Sequence, residues 1–152
     1  MHSTKLSGLM LIERVLLLKS LSVFRETPET VLAEIVHLMV EMNVPAGAVI
    51  VKEGDAGDCM YIIYDGKVNI HKQKRVLVEL GEKDFFGELA LLDTETRSAT
   101  ATAITDCILF RIDQEPFYDM MESRPEVVKG VVKILCKRIR ESNQKLLDMG
   151  KE

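Results

Sequence analysis

Between Val49 and Ile112 the chain breaks into short β-type runs: Val49-Ile50-Val51, Met60 to Tyr64, Val68 to His71, Val76 to Leu80, Thr100 to Ile104 and Cys107 to Ile112. Turn residues separate them, so no run is long enough to bury itself, and each must pair with another. Several short strands at close spacing fit an antiparallel β-roll of the jelly-roll kind. Asp65-Gly66, between two of the runs, is a strong type I′ hairpin signal, because that turn needs positive φ.

Helical periodicity occupies both flanks. Thr27 before Pro28 and Glu29 reads as a helix start, with the hydroxyl as N-cap and Pro at N1, where its missing N–H costs nothing. Leu32, Ile35, Leu38/Met39 and Met42 then share one stripe of an amphipathic helix, which Pro45-Ala46-Gly47 ends. Beyond the strands, Asp113 is expected to cap a short helix containing Phe117, Met120 and Met121. Ser123 with Glu126 three residues later reads as a capping box for a long last helix. In that helix Val132, Leu135, Ile139, Ser142, Leu146 and Met149 follow a three-four spacing, and Val127, Val131 and Ile134 mark a neighbouring face. One face can cover the roll while the other meets a second subunit, although the run falls short of the ~3–4 heptads that argue a coiled coil. The expected fold class is therefore mainly β with flanking helices (α+β), in one domain spanning 1–152. Residues 1–44 carry N-terminal helices, 45–112 the β-roll and 113–149 the C-terminal helices.

Composition narrows the function classes. The 152 residues carry a formal net charge of −4, which gives no support to direct nucleic-acid binding, since phosphate backbones are held by clustered Lys and Arg. The densest central basic run, Lys72, Lys74 and Arg75, is explained by a solvated hairpin tip. Cys59, Cys107 and Cys136 are odd in number and lack a CxxC pattern, so neither a disulfide framework nor a zinc site is indicated, and a reducing, cytoplasmic setting is expected. The Leu-rich stretch around Val15-Leu16-Leu17-Leu18 is interrupted by Glu13, Arg14 and Lys19, too soon for the ~20 apolar residues of a membrane span. It also lacks the charged start and cleavage site of a signal peptide.

The chemistry concentrates between Phe85 and Ala103, in the segment FFGELALLDTETRSATATA. Gly87 lets the backbone bend sharply, and Glu88-Leu89-Ala90-Leu91-Leu92 reads as a short helix whose first N–H groups lack internal partners and so suit an anion. After the turn at Asp93-Thr94-Glu95-Thr96, Arg97 can grip phosphate oxygens in a bidentate fork. Glu88 would repel phosphate. Its use is to accept hydrogen bonds from hydroxyls, and the pair describes a ligand with a sugar at one end and a phosphate at the other.

Phe86-Gly87-Glu88-Leu89-Ala90-Leu91-Leu92, four residues, then Arg97-Ser98-Ala99-Thr100, resembles the phosphate-binding cassette of cyclic-nucleotide-binding domains of the catabolite activator and protein kinase A regulatory subunit type. The cassette occupies 85–100, and its Glu-to-Arg spacing is the family's own. The resemblance implies that Glu88 bonds the ribose 2′-hydroxyl, that Arg97 pairs with the cyclic phosphate, and that backbone N–H groups near Gly87, Leu89, Ala90 and Ala99 complete a cradle. Ser98 occupies the place that bears on base choice, without discriminating cAMP from cGMP. Arg138, Ser142 and Asn143 become candidates for contacting the purine, some of it across a dimer. Kinase-type members carry Pro before the arginine, and this chain has Thr96, a substitution expected to loosen the turn.

The expected activity is that of a non-enzymatic sensor binding cAMP or cGMP, with no cofactor or metal, and signalling through its C-terminal helix to an attached or separate effector. A catabolite-activator-like transcription factor would need a helix-turn-helix after the long helix, and none is expected to fit before Glu152. Two alternatives stand beside this reading. One is a ligand-free scaffold of the same fold, attached to a larger transport or helical-repeat protein. The other is a cupin-like metal enzyme, which needs several His and a carboxylate on one ion. His2, His37 and His71 fall in unrelated parts of the sequence and do not supply that set.

Overall fold

A computed structural model describes residues 11–150. His2 and the rest of the first ten positions lie outside the described residues. The order of elements is helix α1 (Leu11–Ser20), a 3₁₀ turn (Ser22–Phe24), helix α2 (Glu29–Val36), then strands β1 (Val40–Val44), β2 (Val49–Val51), β3 (Ala56–Gly57), β4 (Cys59–Asp65), β5 (Val68–Lys72), β6 (Arg75–Leu80) and β7 (Phe85–Phe86). Helix α3 (Glu88–Leu92), strands β8 (Glu95–Thr96), β9 (Thr100–Ala103) and β10 (Cys107–Asp113), and helices α4 (Gln114–Ser123) and α5 (Pro125–Gly150) complete it. All pairings are antiparallel. One sheet runs β1-β10-β4-β7, a second β2-β9-β5-β6, and β3 pairs with β8 alone. The β-roll with helices at both ends matches the fold class read from the sequence.

Strands β4 and β10 are nearly unbroken apolar runs because both of their faces are buried. Met60, Ile62, Phe110 and Ile112 face the helices, where they meet Leu18, Leu32, Ile35 and Phe117. Tyr61, Ile63 and Leu109 face the interior of the roll, against Val68, Ala101 and Ala103. Strand β4 is thereby fixed from both sides, and it forms the floor on which the cassette rests.

Four local expectations are corrected. Helix α2 ends at Val36 rather than near Met42, because Val40–Val44 pairs with β10, Met42 opposite Leu109. Pro45-Ala46-Gly47 therefore links two strands. Pro28, not Thr27, is the N-cap of α2: its carbonyl accepts the N–H groups of Val31 and Leu32, no side chain caps the helix, and Thr27 is buried instead. Asp65-Gly66 makes no hairpin, since β4 and β5 belong to different sheets. Gly66 (φ 105°) turns the chain from one sheet to the other against Asp106 O and Cys107, where a Cβ would stand 2.6 Å from that oxygen. The capping box is absent as well: Ser123 Oγ donates back to Met120 O, and Glu126 lies 3.9 Å from Arg124. Asp113 holds the N-cap position of α4 without a capping bond, its carboxylate taken by Arg111 at 2.9 Å.

The two faces expected of the last helix separate clearly. Val127 is buried, and Val131 and Ile134 pack against the helical core. Val132, Ile139, Leu146 and Met149 are exposed, as is every residue from 139 to 150. Lys72 and Arg75 pair at the tip of the β5–β6 hairpin, around Gln73 with φ 52°. Among the described residues no helix is long and apolar enough to cross a membrane.

Candidate functional site

The cassette is held at both ends. Phe85 and Phe86 pair with Ile62 and Tyr61 of β4, and the Phe86 ring stacks on Tyr61 with centroids 5.1 Å apart. Gly87 (φ 80°) then starts α3 in the left-handed conformation that side chains rarely adopt. At the far end β8 pairs with β3, Thr96 opposite Ala56 and Glu95 opposite Gly57. The Arg97 N–H donates to Asp55 O at 2.8 Å, and Arg97 O accepts the Gly54 N–H at 2.9 Å. The backbone at Arg97 is thus fixed in both directions, and this pairing anchors the turn at Thr96, which was expected to be loosened.

The side chain of Arg97 lies in a slot between two glycines. A Cβ on Gly57 would stand 2.3 Å from Arg97 Nε, and one on Gly87 would stand 2.6 Å from Arg97 Nη1 and 2.9 Å from Cys59 O. Within the slot, Arg97 Nη2 donates to Cys59 O at 2.9 Å and reaches the Cys59 Sγ at 3.4 Å. Arg97 is paired with no carboxylate among the described residues, so its charge is available to an anion. Burial and a hydrogen bond to Cys59 raise the Tyr61 phenol well above its usual range, so this neighbour of the arginine stays neutral even at alkaline pH. The sequence reading missed Gly57 and Cys59. The signal for the first was the pair of glycines in Gly54-Asp55-Ala56-Gly57, whose second member neither takes positive φ nor sits in a turn.

Glu88 faces the same cleft from the start of α3. The cleft encloses about 210 Å³ and is lined by Gly87, Glu88, Leu89, Arg97, Ser98 and Ala99, with Val51, Ile70 and Ala101 of the roll forming an apolar wall. Most of the residues assigned to the site thus come together. Ala90 does not line the cleft: it is fully buried, and its N–H is engaged by Gly87 O at 3.1 Å. Ser142 and Asn143 do not reach it either, since both lie in the exposed distal part of α5. Arg138 is placed differently from the expected purine contact: its Nη2 meets Glu88 Oε1 at 2.5 Å. That bond ties α5 to the cassette. A second tie runs through α4, where Gln114 Nε2 donates to Ala90 O at 3.3 Å and the Tyr118 hydroxyl donates to Leu92 O.

His71 is engaged by Gln73 O and Thr102 Oγ1, and His37 caps the end of α2. Among the described residues no three His, Cys, Asp or Glu converge in a metal-holding cluster. Cys59, Cys107 and Cys136 are free thiols.

Taken together, the fold and site define a β-roll that presents one arginine and one glutamate to a small cleft and links that cleft to helices on its far side. The cyclic nucleotide-binding domain family matches residues 41–124, more than half of the chain, and the chain belongs to that family. It is 29% identical over 132 residues to a CRP-like cAMP-activated global transcriptional regulator of Mycobacterium tuberculosis, covering 84% of this chain and 59% of the regulator. It is 35% identical over 122 residues to a cyclic nucleotide-gated potassium channel of Rhizobium etli, covering 80% of this chain and 34% of the channel. Among solved structures, the N-terminal domain of a transcriptional regulator from Streptomyces coelicolor superposes with a TM-score of 0.79 at 28% identity, over 85% of this chain and 93% of that one. The regulatory domain of Toxoplasma gondii PKA, crystallised with cAMP, superposes with a TM-score of 0.66 at 31% identity, over 72% of this chain and 43% of that one. The chain spans less than two thirds of the regulator and the channel it matches.

Proposed function

We propose that the chain is a cyclic nucleotide sensor that binds cAMP in preference to cGMP and passes the event to α5. The observation that carries this is the convergence of Arg97 and Glu88 on one cleft with an apolar wall. The arginine suits a cyclic phosphate and the glutamate a ribose 2′-hydroxyl, while Ser98 and Ala99 edge the phosphate end. The preference for cAMP is supported by relatives named for it, the regulator of M. tuberculosis and the cyclic AMP receptor protein of Thermus thermophilus. Calorimetry tests it: one cAMP per chain is the expected result, with weaker binding of cGMP. Absence of heat with either nucleotide would leave a scaffold of this fold without its ligand.

The signal follows from the double duty of Glu88. Oε1 is taken by Arg138, which leaves Oε2 to accept the hydroxyl of a ribose in the cleft. Ligand therefore steadies Glu88, Glu88 steadies Arg138, and the docked position of α5 is favoured by the difference in ligand affinity between the docked and undocked states. Arg138→Gln should lower cAMP affinity several-fold, on the order of 1 kcal/mol for a partly exposed pair. It should also abolish the slowing of hydrogen exchange that cAMP produces between Val127 and Leu147 in the wild type. An unchanged exchange response in the variant would route the signal through Gln114 and Tyr118 instead.

The exposed stripe of α5, Val132, Ile139, Leu146 and Met149, fits a second copy of the chain as its partner, with Ser142 and Asn143 of the helix brought toward a purine across that dimer. The effector is a further part of the same polypeptide or a separate protein, and the setting is cytoplasmic.

A further inference from the structure

A cavity larger than the cassette cleft lies elsewhere in the described residues. It encloses about 450 Å³ between the N-terminal segment and α5, on the far side of Arg138 from the nucleotide site, a volume within the range of small-molecule sites. Cations outnumber carboxylates on its walls, Arg25, Lys129, Lys133, Lys137 and Arg138 against Glu26, Glu126 and Glu141. Arg25 stands on the segment between the 3₁₀ turn and α2, and Lys129, Lys133 and Lys137 follow one another at single-turn spacing on α5. Lys137 is paired with Glu26 at 3.9 Å, and the cavity's Glu126 with Arg124 at 3.9 Å. Arg25, Lys129 and Lys133 have no carboxylate within 4.0 Å among the described residues. Cations one turn apart repel and weaken a helix, so the Lys129–Lys133 pair costs stability for which no ion pair among the described residues compensates. On a chain of net charge −4, three unpaired cations on two facing walls against one unpaired carboxylate, Glu141, leave a local positive excess, the opposite of what the composition alone would distribute.

We infer that this cleft is a second ligand site, taking a small anion with two or more phosphate groups. The axial rise of one helical turn, about 5.4 Å, lets both lysine ammoniums reach neighbouring phosphates of one molecule, and Arg25 meets the same group from the opposite wall. Val23, Phe85 and Ile134 line the cleft and offer an apolar surface to an organic moiety carried by those phosphates. Because one wall belongs to α5 and the other to the N-terminal segment, an anion seated there ties the two together.

Titration of the whole chain with inorganic pyrophosphate, without cyclic nucleotide, tests the site. Saturable binding is expected, retained in Arg97→Ala and weakened roughly tenfold in the Lys129→Ala/Lys133→Ala double variant, whose exposed positions and good helix formers leave folding intact. ATP compared with pyrophosphate then distinguishes a phosphate-only ligand from one that uses the apolar surface, which tighter ATP binding would indicate. The proposal is overturned if pyrophosphate does not bind, or if binding is lost in Arg97→Ala and kept in the double variant, since the anion would then occupy the cassette.

Discussion

Arg97→Ala is expected to lower the affinity for cAMP by ~30-fold to several thousand-fold. Removing one partner of a buried charge pair costs roughly 2–5 kcal/mol, and each 1.4 kcal/mol is a decade in affinity. The loss should be confined to binding. The links that build the site at this position come from the backbone, Arg97 N–H to Asp55 O and Gly54 N–H to Arg97 O, and these survive truncation of the side chain. The side chain itself contributes only its bonds to Cys59, worth about 1 kcal/mol net. Calorimetry and thermal unfolding should therefore diverge. Ligand at ~100 times its dissociation constant stabilises the wild type by about 2.7 kcal/mol, and the same concentration should stabilise the variant by less than about 1 kcal/mol, with a correspondingly smaller rise in melting temperature. Equal affinities in the two proteins would remove Arg97 from the site.

What the sequence could yield was set by whether the signal was local. The cassette was readable because Gly87, Glu88 and Arg97 lie within one short segment, and their chemistry depends on residue type and spacing. The strand runs were readable for the same reason: β4 and β10 are buried on both faces, and unbroken apolar runs record that directly. The failures occur where a distant partner decides. Met42 sits at helical spacing from Ile35 and Leu38, yet pairing with β10 makes it a strand residue, a case where a short apolar run does not separate helix from strand. Asp65-Gly66 announces positive φ, which is present at Gly66, but says nothing of whether the flanking strands pair. The Ser123–Glu126 spacing matched a capping box, and the break between α4 and α5 at Arg124 placed Ser123 on the wrong helix. Arg138 was a candidate purine contact through the resemblance to the catabolite activator, carried over together with Ser142 and Asn143. Only the docking of α5 beside α3 reveals Glu88 as its partner.

Gly57 offers the sharpest separation of site from fold. Gly57→Ala should lower cAMP affinity by about 30- to 100-fold, toward the lower end of the loss from deleting Arg97, while leaving stability within ~1 kcal/mol of the wild type. The added Cβ would lie 2.3 Å from Nε, 2.5 Å from Cζ and 2.8 Å from Cδ of Arg97, and every one of those atoms belongs to a flexible side chain. The guanidinium therefore leaves the slot and the backbone stays. Gly57 has no positive φ, so alanine meets no backbone strain in β3 and slightly restricts the unfolded chain. A displaced guanidinium remains near the cleft, which keeps part of its attraction for phosphate but loses the preset geometry that a bidentate contact requires. Gly87→Ala makes the contrast. There φ is 80°, and the Cβ would stand 2.9 Å from the Cys59 carbonyl as well as 2.6 Å from Arg97 Nη1, so backbone and arginine are both disturbed, and stability and binding should fall together. Calorimetry and melting curves on the two variants read the difference, and wild-type affinity in Gly57→Ala would mean that the glycine slot is not what aims Arg97.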